Sequence, residues 1–489
     1  MSKNNTQRAL VLQGGGALGA YEAGVFRVLY DWINNRTGIK QNDNIFDILA
    51  GTSIGAINAA FLVSHVIKKR KEENRNVRES WEGSAEGLEE FWKSRLASNI
   101  NLSTWWPFCW YQKWWTCAWD MLNKANSDIA TGEAARRYYS SKEFIIKGTP
   151  DIFLPHISPN IDCKFFDNFI FPNIWYRYDN SRLKETINKS INFPIATSFD
   201  KKEPRLIATS VDVEEGETVS FDSYVKERDN SARRSEYGDF KPGINDKKGK
   251  YERIIKYDKG IMIDHIIASA SVPEHYDYTL VPKEYDYTKT REKSFDIREN
   301  DLNYTKFWDG GILNNTPLRE LIQSHQDYWK NVEDRSYDIP NMEVYIVDVW
   351  PSLQKHPVPS DLDGVRNRKN ELTYLDKTPY DEKIANIVSD YYNLVNALIK
   401  FAKVKGATTE EIDVILDKKS KSSHRSGEPR KYRDLIEKRF DIVKVIRIER
   451  SYDRDDIANK WCDFSLDTIT TLFNQGIKDA KETLRRQDS

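Results

Sequence analysis

Two glycine-rich turns near the N-terminus most constrain how this chain can fold. Gly14–Gly19 (GGGALG) follows the apolar run Ala9–Leu12, and Gly51–Gly55 (GTSIG) follows the apolar run Ile45–Ala50. A helical hydrophobic pattern comes after each turn. Strands that alternate with helices are typical of a parallel sheet covered on both faces. The sequence therefore predicts an α/β fold with a central, mostly parallel sheet.

The composition narrows the class of protein. Of 489 residues, 39% are hydrophobic and 30% are charged, with a net charge of −1. These values exclude collagen, a low-complexity chain and a polytopic membrane protein, and they are too apolar for wholesale disorder. The near-neutral charge gives no reason to expect a nucleic-acid partner. Four cysteines in so long a chain are not a disulfide framework, so a cytoplasmic location is expected.

Gly14–Gly19 formally matches the dinucleotide fingerprint G-x-G-x-x-G. A dinucleotide site also needs an acidic residue at the end of the second strand, whereas this strand runs into Gly51-Thr52-Ser53. The physics of the turn remains, because glycine N–H groups at the start of a helix form a site for negative charge. In acyl transfer that charge is the oxyanion of the tetrahedral intermediate.

Ser53 lies at the centre of G-x-S-x-G, between an apolar strand and a helix rich in small residues. Such a turn forces the serine into a tight conformation and exposes its hydroxyl above the sheet, at the positive end of the helix. This context favours a nucleophile. The alternative is an ordinary serine that caps a helix.

A nucleophilic serine needs a base, and the histidines of this chain do not follow a strand in the expected order. The better candidate is Asp309, which is followed by Gly310 and Gly311 at the predicted end of a strand. A carboxylate there can reach an exposed hydroxyl. The alternative is an Asx-turn at the end of the strand.

Taken in this order, Gly14–Gly19, Gly51–Gly55 and Asp309-Gly310-Gly311 resemble the patatin-like phospholipase family. The resemblance covers residues 8–75 and 203–350. It implies a Ser–Asp dyad, with Ser53 as nucleophile and Asp309 as general base. The same resemblance gives the oxyanion hole to the backbone of Gly14, Gly15 and Gly16, and supporting roles to Gly19, Gly51, Gly55, Gly310 and Gly311. No cofactor and no metal are expected.

The resemblance also predicts the architecture, a three-layer α/β/α sandwich like that of longer prokaryotic members. We expect a catalytic domain over residues 8–350, with an insertion at about 78–200 and a charged excursion at about 225–258. A mainly helical extension would follow over residues 351–489. The insertion contains the Trp-rich segment Trp105–Trp119, which fits an interfacial lid, a buried stripe or a dimer surface. The basic segment Lys418–Arg439 fits contact with anionic lipid or a solvated linker.

The function that follows from this resemblance is hydrolysis of lipid acyl esters, in phospholipids or lysophospholipids. Two alternatives stay open: an esterase for short-chain or storage-polyester substrates, and a catalytically idle lipid-binding protein of the same fold. The expected partners are the acyl-ester substrate and, at most, peripheral contact with a membrane. The oligomeric state is left open. A carboxylate is a weaker base than an imidazole, so modest rates are expected unless burial raises the pKa of Asp309.

Overall fold

The structure, a computed structural model, describes most of the chain outside the Trp-rich segment and the charged excursion. The described residues are 6–36, 41–98, 137, 140–141, 144–145, 148–155, 176–224, 234–235, 255–257, 259–283, 303–331, 339–351, 358–359, 362–423, 429–436, 439–451 and 457–488. The segment Trp105–Trp119 lies outside them, so its three interpretations stay predictions.

One large sheet organises the described chain. Its parallel strands are β1 (Thr6–Leu12), β2 (Ile48–Thr52), β5 (Arg205–Asp212), β12 (Asn341–Asp348) and β15 (Ile442–Glu449). Antiparallel partners are added by β6 (Glu217–Asp222), β10 (Thr279–Pro282) and β11 (Tyr304–Asp309). Hydrogen-bonded pairs link β10 to β11, β11 to β5, β5 to β2, β2 to β1, β1 to β12 and β12 to β15, and β6 also pairs with β5. The predicted mostly parallel sheet is confirmed.

Smaller strands and the helices complete the architecture. The small strands are β3 (Leu154–Pro155), β4 (Tyr176–Asp179), β7 (Arg234–Ser235), β8 (Ile255–Lys256), β9 (Glu274–Tyr276), β13 (Lys419–Ser423) and β14 (Pro429–Lys431). The helices are α1 (Gly19–Asn34), α2 (Ile54–Glu72), α3 (Ser84–Glu90), α4 (Ser181–Ser190), α5 (Ile263–Ser269), α6 (Leu318–Asn331), α7 (Leu362–Tyr374), α8 (Thr378–Val404), α9 (Thr409–Leu416), α10 (Arg433–Ile436) and α11 (Leu466–Asp488). A single π-helical turn, Phe91–Leu96, continues α3.

Two hydrophobic cores lie on the two faces of the sheet, because successive strand residues point to opposite sides. Leu10 and Leu12 of β1 join the core beneath α1, α2 and α11. Ala9 and Val11 of the same strand join the core beneath α6, with Leu318. These two cores make the three-layer α/β/α sandwich that the sequence predicts.

The last part of the chain packs into this sandwich. Strand β15 extends the sheet beside β12, and α11 lies against α1 at a close crossing. A Cβ on Gly24 would lie 2.0 Å from the Phe473 carbonyl oxygen, and one on Gly476 would lie 2.2 Å from the Tyr21 carbonyl oxygen. Glycine is needed at both positions for the two helix backbones to approach. The division at residue 350 stays a prediction, and truncation there would test it.

No helix in the described ranges combines the length and apolar character that crossing a bilayer requires. Most predicted strands and helices agree with the structure within a few residues. The region after residue 350 is mainly helical, as expected, and within it β13 and β14 form a hairpin.

Candidate active site

Strand β5 pairs with three strands: β6 along one edge, and β2 followed by β11 along the other edge. The middle residues of β5 pair with β2 and with β6, so β2 and β6 lie on opposite edges of β5. Its last residues pair with β6 and β11, so β11 occupies the β2 edge beyond the end of β2. Thr52 ends β2 opposite Thr209, and Asp309 ends β11 opposite Ser210. The two strands therefore meet end to end, beside Ser53.

Ser53 occupies a strained turn between β2 and α2. Its φ of 56° and ψ of −124° lie in a region that a residue with a side chain rarely adopts. The flanking glycines permit the turn, since a Cβ on Gly51 would lie 2.3 Å from the Gly55 carbonyl oxygen. The Ser53 N–H donates to Ser269 Oγ at 2.9 Å, and that hydroxyl donates to the Thr209 carbonyl at 2.6 Å. These hydrogen bonds hold the turn in place, and residue Ser53 is 8% exposed.

Asp309 is buried at the end of β11. Burial raises the pKa of its carboxyl to about 7, although the Ser53 side chain and the Gly311 N–H both act to lower it. The Gly311 N–H donates to Oδ1 at 2.7 Å. The other oxygen, Oδ2, is buried and has no hydrogen-bond partner among the described residues. A carboxylate with one free buried oxygen and a pKa near neutrality is suited to accept a proton.

The first glycine turn lies directly against Ser53. A Cβ on Gly14 would lie 3.1 Å from the Ser53 Cβ. The Gly14 N–H donates to the Asn315 carbonyl at 3.1 Å, so it is not available for an oxyanion. By contrast, the N–H groups of Gly15 and Gly16 have no hydrogen-bond partner within the described part of the chain. Of the three glycines expected to donate to an oxyanion, Gly15 and Gly16 therefore remain as candidates.

The supporting glycines occupy places where backbones nearly touch. A Cβ on Gly55 would lie 2.4 Å from the Leu12 carbonyl oxygen, and one on Gly310 would lie 2.4 Å from the Thr209 carbonyl oxygen. A Cβ on Gly19 would lie 2.6 Å from Ile54 Cγ1. These contacts bring the two glycine turns and the Asp309 turn together at one edge of the sheet.

The family model described as patatin-like phospholipase matches residues 10–322, a span that includes both glycine turns and the Asp309 turn. The chain belongs to the patatin-like phospholipase family. Members of this family are lipid acyl hydrolases, which assigns the protein to that broad class. The solved structure of VipD from Legionella pneumophila is similar to it at 11% identity and a TM-score of 0.27, over 96% of this chain and 67% of that one. No curated protein matches the chain.

Asn315 connects the parts of this patatin-like site, and sequence reasoning gave it no role. Its Nδ2 donates to the Gly14 carbonyl at 3.0 Å and to the Tyr374 carbonyl at 2.8 Å. Gln13 also connects distant parts of the site. Its Oε1 accepts hydrogen bonds from the N–H groups of Val349 and Trp350 at 2.8 and 2.9 Å. In the sequence, Gln13 and Asn315 are distinguished only by a nearby glycine or proline turn. Many loop residues share this feature, so it does not identify a role.

Residues beyond position 350 form one wall of the site. Burial, together with the charges of Asp309 and Glu274, raises the pKa of the Tyr374 phenol to about 12. Its ring packs at 5.8 Å on that of Trp350. Trp461 covers the glycine turn, since a Cβ on Gly16 would lie 2.5 Å from its carbonyl oxygen. The region after residue 350 thus lies in contact with the glycine turn and close to Asp309.

Two of the described histidines are poor candidates for a general base. His265 and His325 are buried, and burial lowers the pKa of each to about 3, which makes them weak bases. His275 packs edge-on against the Trp461 ring at 4.7 Å. In the part of the chain that the structure describes, no three His, Cys, Asp or Glu side chains converge on a metal-sized site. The expected absence of a cofactor stays a prediction.

Proposed function

We propose that this protein hydrolyses acyl esters of phospholipids or lysophospholipids through a Ser53–Asp309 dyad. The observation that carries the proposal is the end-to-end meeting of β2 and β11 along β5, which puts a strained serine beside a buried carboxyl. Strain and burial both cost stability, and such costs cluster at functional sites. Family membership supports the same reaction class.

In the first half-reaction, Asp309 Oδ2 accepts the Ser53 hydroxyl proton while Ser53 Oγ bonds to the ester carbonyl carbon. The free, buried Oδ2 supports this role. The tetrahedral intermediate then collapses, the bond to the leaving alkoxide breaks, and Asp309 returns its proton to that oxygen. The products of this step are a free alcohol and an acyl-enzyme on Ser53.

The oxyanion of the intermediate would be held by the N–H groups of Gly15 and Gly16. Both precede the α1 helix and lack partners among the described residues. A well-placed donor of this kind lowers the barrier by about 3–4 kcal/mol. In the second half-reaction, Asp309 takes a proton from water, the water oxygen attacks the acyl carbon, and Ser53 regains its proton as the fatty acid leaves.

The substrate class is the least constrained part of the proposal. A phospholipid or lysophospholipid follows from the family, whereas a short-chain ester or a storage polyester would use the same dyad. An idle lipid-binding protein would keep the fold without the reaction. The intact Ser53 and Asp309 favour an enzyme, and we infer that it works in the cytoplasm with at most peripheral contact with a membrane.

Hydrolysis of a p-nitrophenyl ester series, from short to long acyl chains, tests the proposal. We expect the wild type to prefer long chains. Ser53→Ala and Asp309→Asn should each lower the rate by at least about a thousandfold. Ser210→Ala is a matched control, because Ser210 is buried beside Asp309 in the sheet but has no proposed role.

Each outcome separates the candidates. Dyad-dependent activity confined to short chains would keep the mechanism and move the substrate away from membranes. Activity that survives both substitutions would refute the dyad. If the wild type is inactive on soluble esters, the wild type and the two dyad variants should be assayed on anionic liposomes. Inactivity in that assay as well would favour the alternative of an idle lipid-binding protein.

A further inference from the structure

Helix α8 carries a row of large apolar side chains that stay substantially exposed in the described structure. The row comprises Ile384, Ile387, Tyr391, Leu394, Leu398 and Phe401, each 39–66% exposed. Only Thr378, at the start of the 27-residue helix, is buried. Soluble proteins rarely expose so many large apolar side chains along one helix without a partner that binds them.

The spacing of this row identifies the kind of partner. Its residues follow one another at intervals of 3, 4, 3, 4 and 3, which is the a/d pattern of a coiled coil sustained over most of the helix. Val388 and Tyr392 lie on an adjoining side of α8, which flanks a groove of its own chain and includes Ile384 of the row. The row, which we call the α8 seam, is therefore built to receive another helix.

The position of α8 argues against a bilayer as its partner. Thr378, at its start, accepts a hydrogen bond from Arg447 Nη2 near the end of β15. Farther along, residues 384–392 flank a groove formed with Phe440 and Ile442 at the beginning of β15. The helix thus runs against the strand direction, away from the sheet edge that carries Ser53. A membrane on its far half would lie at the opposite end from the candidate active site.

We propose that the α8 seam binds the α8 seam of a second copy of this chain in an antiparallel two-helix coiled coil. One register pairs each a position with a d position of the other copy. It sets Ile384 against Phe401, Ile387 against Leu398 and Tyr391 against Leu394. Each of these three pairs occurs twice, once on each side of a two-fold axis. A symmetric dimer needs this self-complementarity.

The charges of α8 favour the antiparallel orientation. Lys400 and Lys403, near its end, form no ion pair with any described residue, whereas its start carries Asp381 and Glu382. The proposed register places Glu382 opposite Lys403 of the second copy. Glu382 also faces Arg447 of its own chain at 3.6 Å. Burial raises the pKa of Asp381, although the charge of Arg319 acts to lower it. The helix dipoles oppose one another in this arrangement as well.

Sedimentation equilibrium of the full chain tests the proposal, which is independent of the proposed function. We expect the mass of two 57.1 kDa chains at micromolar concentration. The double variant Leu394→Asp, Leu398→Asp should raise the dissociation constant at least about a hundredfold, because it buries charge in the seam. Asn393→Asp with Asn396→Asp is the matched control: it adds the same charge on the polar face and should leave the dimer intact.

Crosslinking tests the register. In a chain whose native cysteines are replaced by serine, Ile387→Cys alone should not form a disulfide dimer, because the two copies of this position lie about 16 Å apart. A mixture of the Ile387→Cys and Leu398→Cys chains should form one. Crosslinking of like with like would mean a parallel pair and would overturn the proposal.

Three further results would overturn it. One is a wild-type monomer at tens of micromolar. Another is a dimer that the seam variant does not weaken, which would place the interface elsewhere. The third is a wild-type monomer that sediments with phosphatidylcholine–phosphatidylglycerol vesicles when the seam is intact, which would assign the seam to a membrane. Circular dichroism of the seam variant checks its fold, and if that variant unfolds, crosslinking of the Ile387→Cys chain with the Leu398→Cys chain decides the question.

Discussion

The carbonyl oxygen of Tyr374 accepts a hydrogen bond at 2.8 Å from Asn315 Nδ2, across 59 residues of sequence. Gln13 Nε2 donates to the same carbonyl at 3.2 Å. Tyr374 thus contacts one residue beside the glycine turn and one beyond the Asp309 turn. The end of α7 therefore joins the two halves of the candidate site, and the Tyr374 phenol lies near enough to Asp309 for the charge of Asp309 to raise its pKa.

Replacement of the Tyr374 ring should change the pH profile of the reaction. Tyr374→Ala would admit water near Asp309, weaken the desolvation that raises its pKa, and shift the acidic limb of the profile down by about one pH unit. Tyr374→Phe is the control, since it keeps the ring and the backbone carbonyl, and it should leave that limb in place. An equal shift in both variants would mean that the hydroxyl, and not burial by the ring, sets the pKa.

The wild-type activity should depend on the ionisation of Asp309. Its folded-state pKa is about 7, so the carboxylate base is present above that pH and is lost as the pH falls through it. We expect kcat/KM to rise about tenfold per pH unit below pH 6 and to level off above pH 8. A profile on a p-nitrophenyl ester measures this, and a plateau that extends down to pH 4.5 would contradict it.

Asp309→Asn should make the protein more stable while it removes activity. An unfolded Asp has a pKa of about 3.9, whereas the folded value is about 7. The folded state therefore holds the proton more tightly, and wild-type stability falls as the pH rises from about 4 to 7. Asparagine avoids this cost and still accepts the Gly311 hydrogen bond. We expect a gain on the order of 2–4 kcal/mol at pH 8 that nearly vanishes at pH 4.

Urea unfolding at the two pH values measures this gain. Ser210→Ala is the control, because it retains both the buried Asp309 carboxyl and the Ser53 side chain that acts on it, and it should show the wild-type loss of stability between pH 4 and 8. If the gain from Asp309→Asn were the same at both pH values, ionisation of Asp309 would not be its cause.

Gly51 should tolerate no side chain. A Cβ there would lie 2.3 Å from backbone atoms of Gly55, which cannot move without opening the Ser53 turn. We expect Gly51→Ala to lower the free energy of unfolding by at least about 3 kcal/mol. Gly87→Ala in α3 is the matched control, since its nearest contact is the Phe61 ring at 3.5 Å. That change should stabilise by about 0.5–1 kcal/mol, and urea unfolding compares the two.

The local parts of the fold and site could be predicted because their signals are short-range. An apolar run followed by glycines and a helical pattern predicted β1, β2 and the helices after them, and the structure confirms these elements. Ser53 and Asp309 are candidates for the same reason, since a turn that needs glycine is visible within five residues of sequence. Their roles stay proposals.

What only the tertiary structure decided depends on contacts between distant parts of the chain. The meeting of Ser53 with Asp309 follows from β11 taking over the β5 edge where β2 ends, a register that no local pattern encodes. The pKa of Asp309 follows from burial. The sequence by itself determined which turns can hold a nucleophile, a base and an oxyanion, because backbone sterics are local. Only folding decided which side chains surround them, because burial and strand pairing join residues hundreds of positions apart.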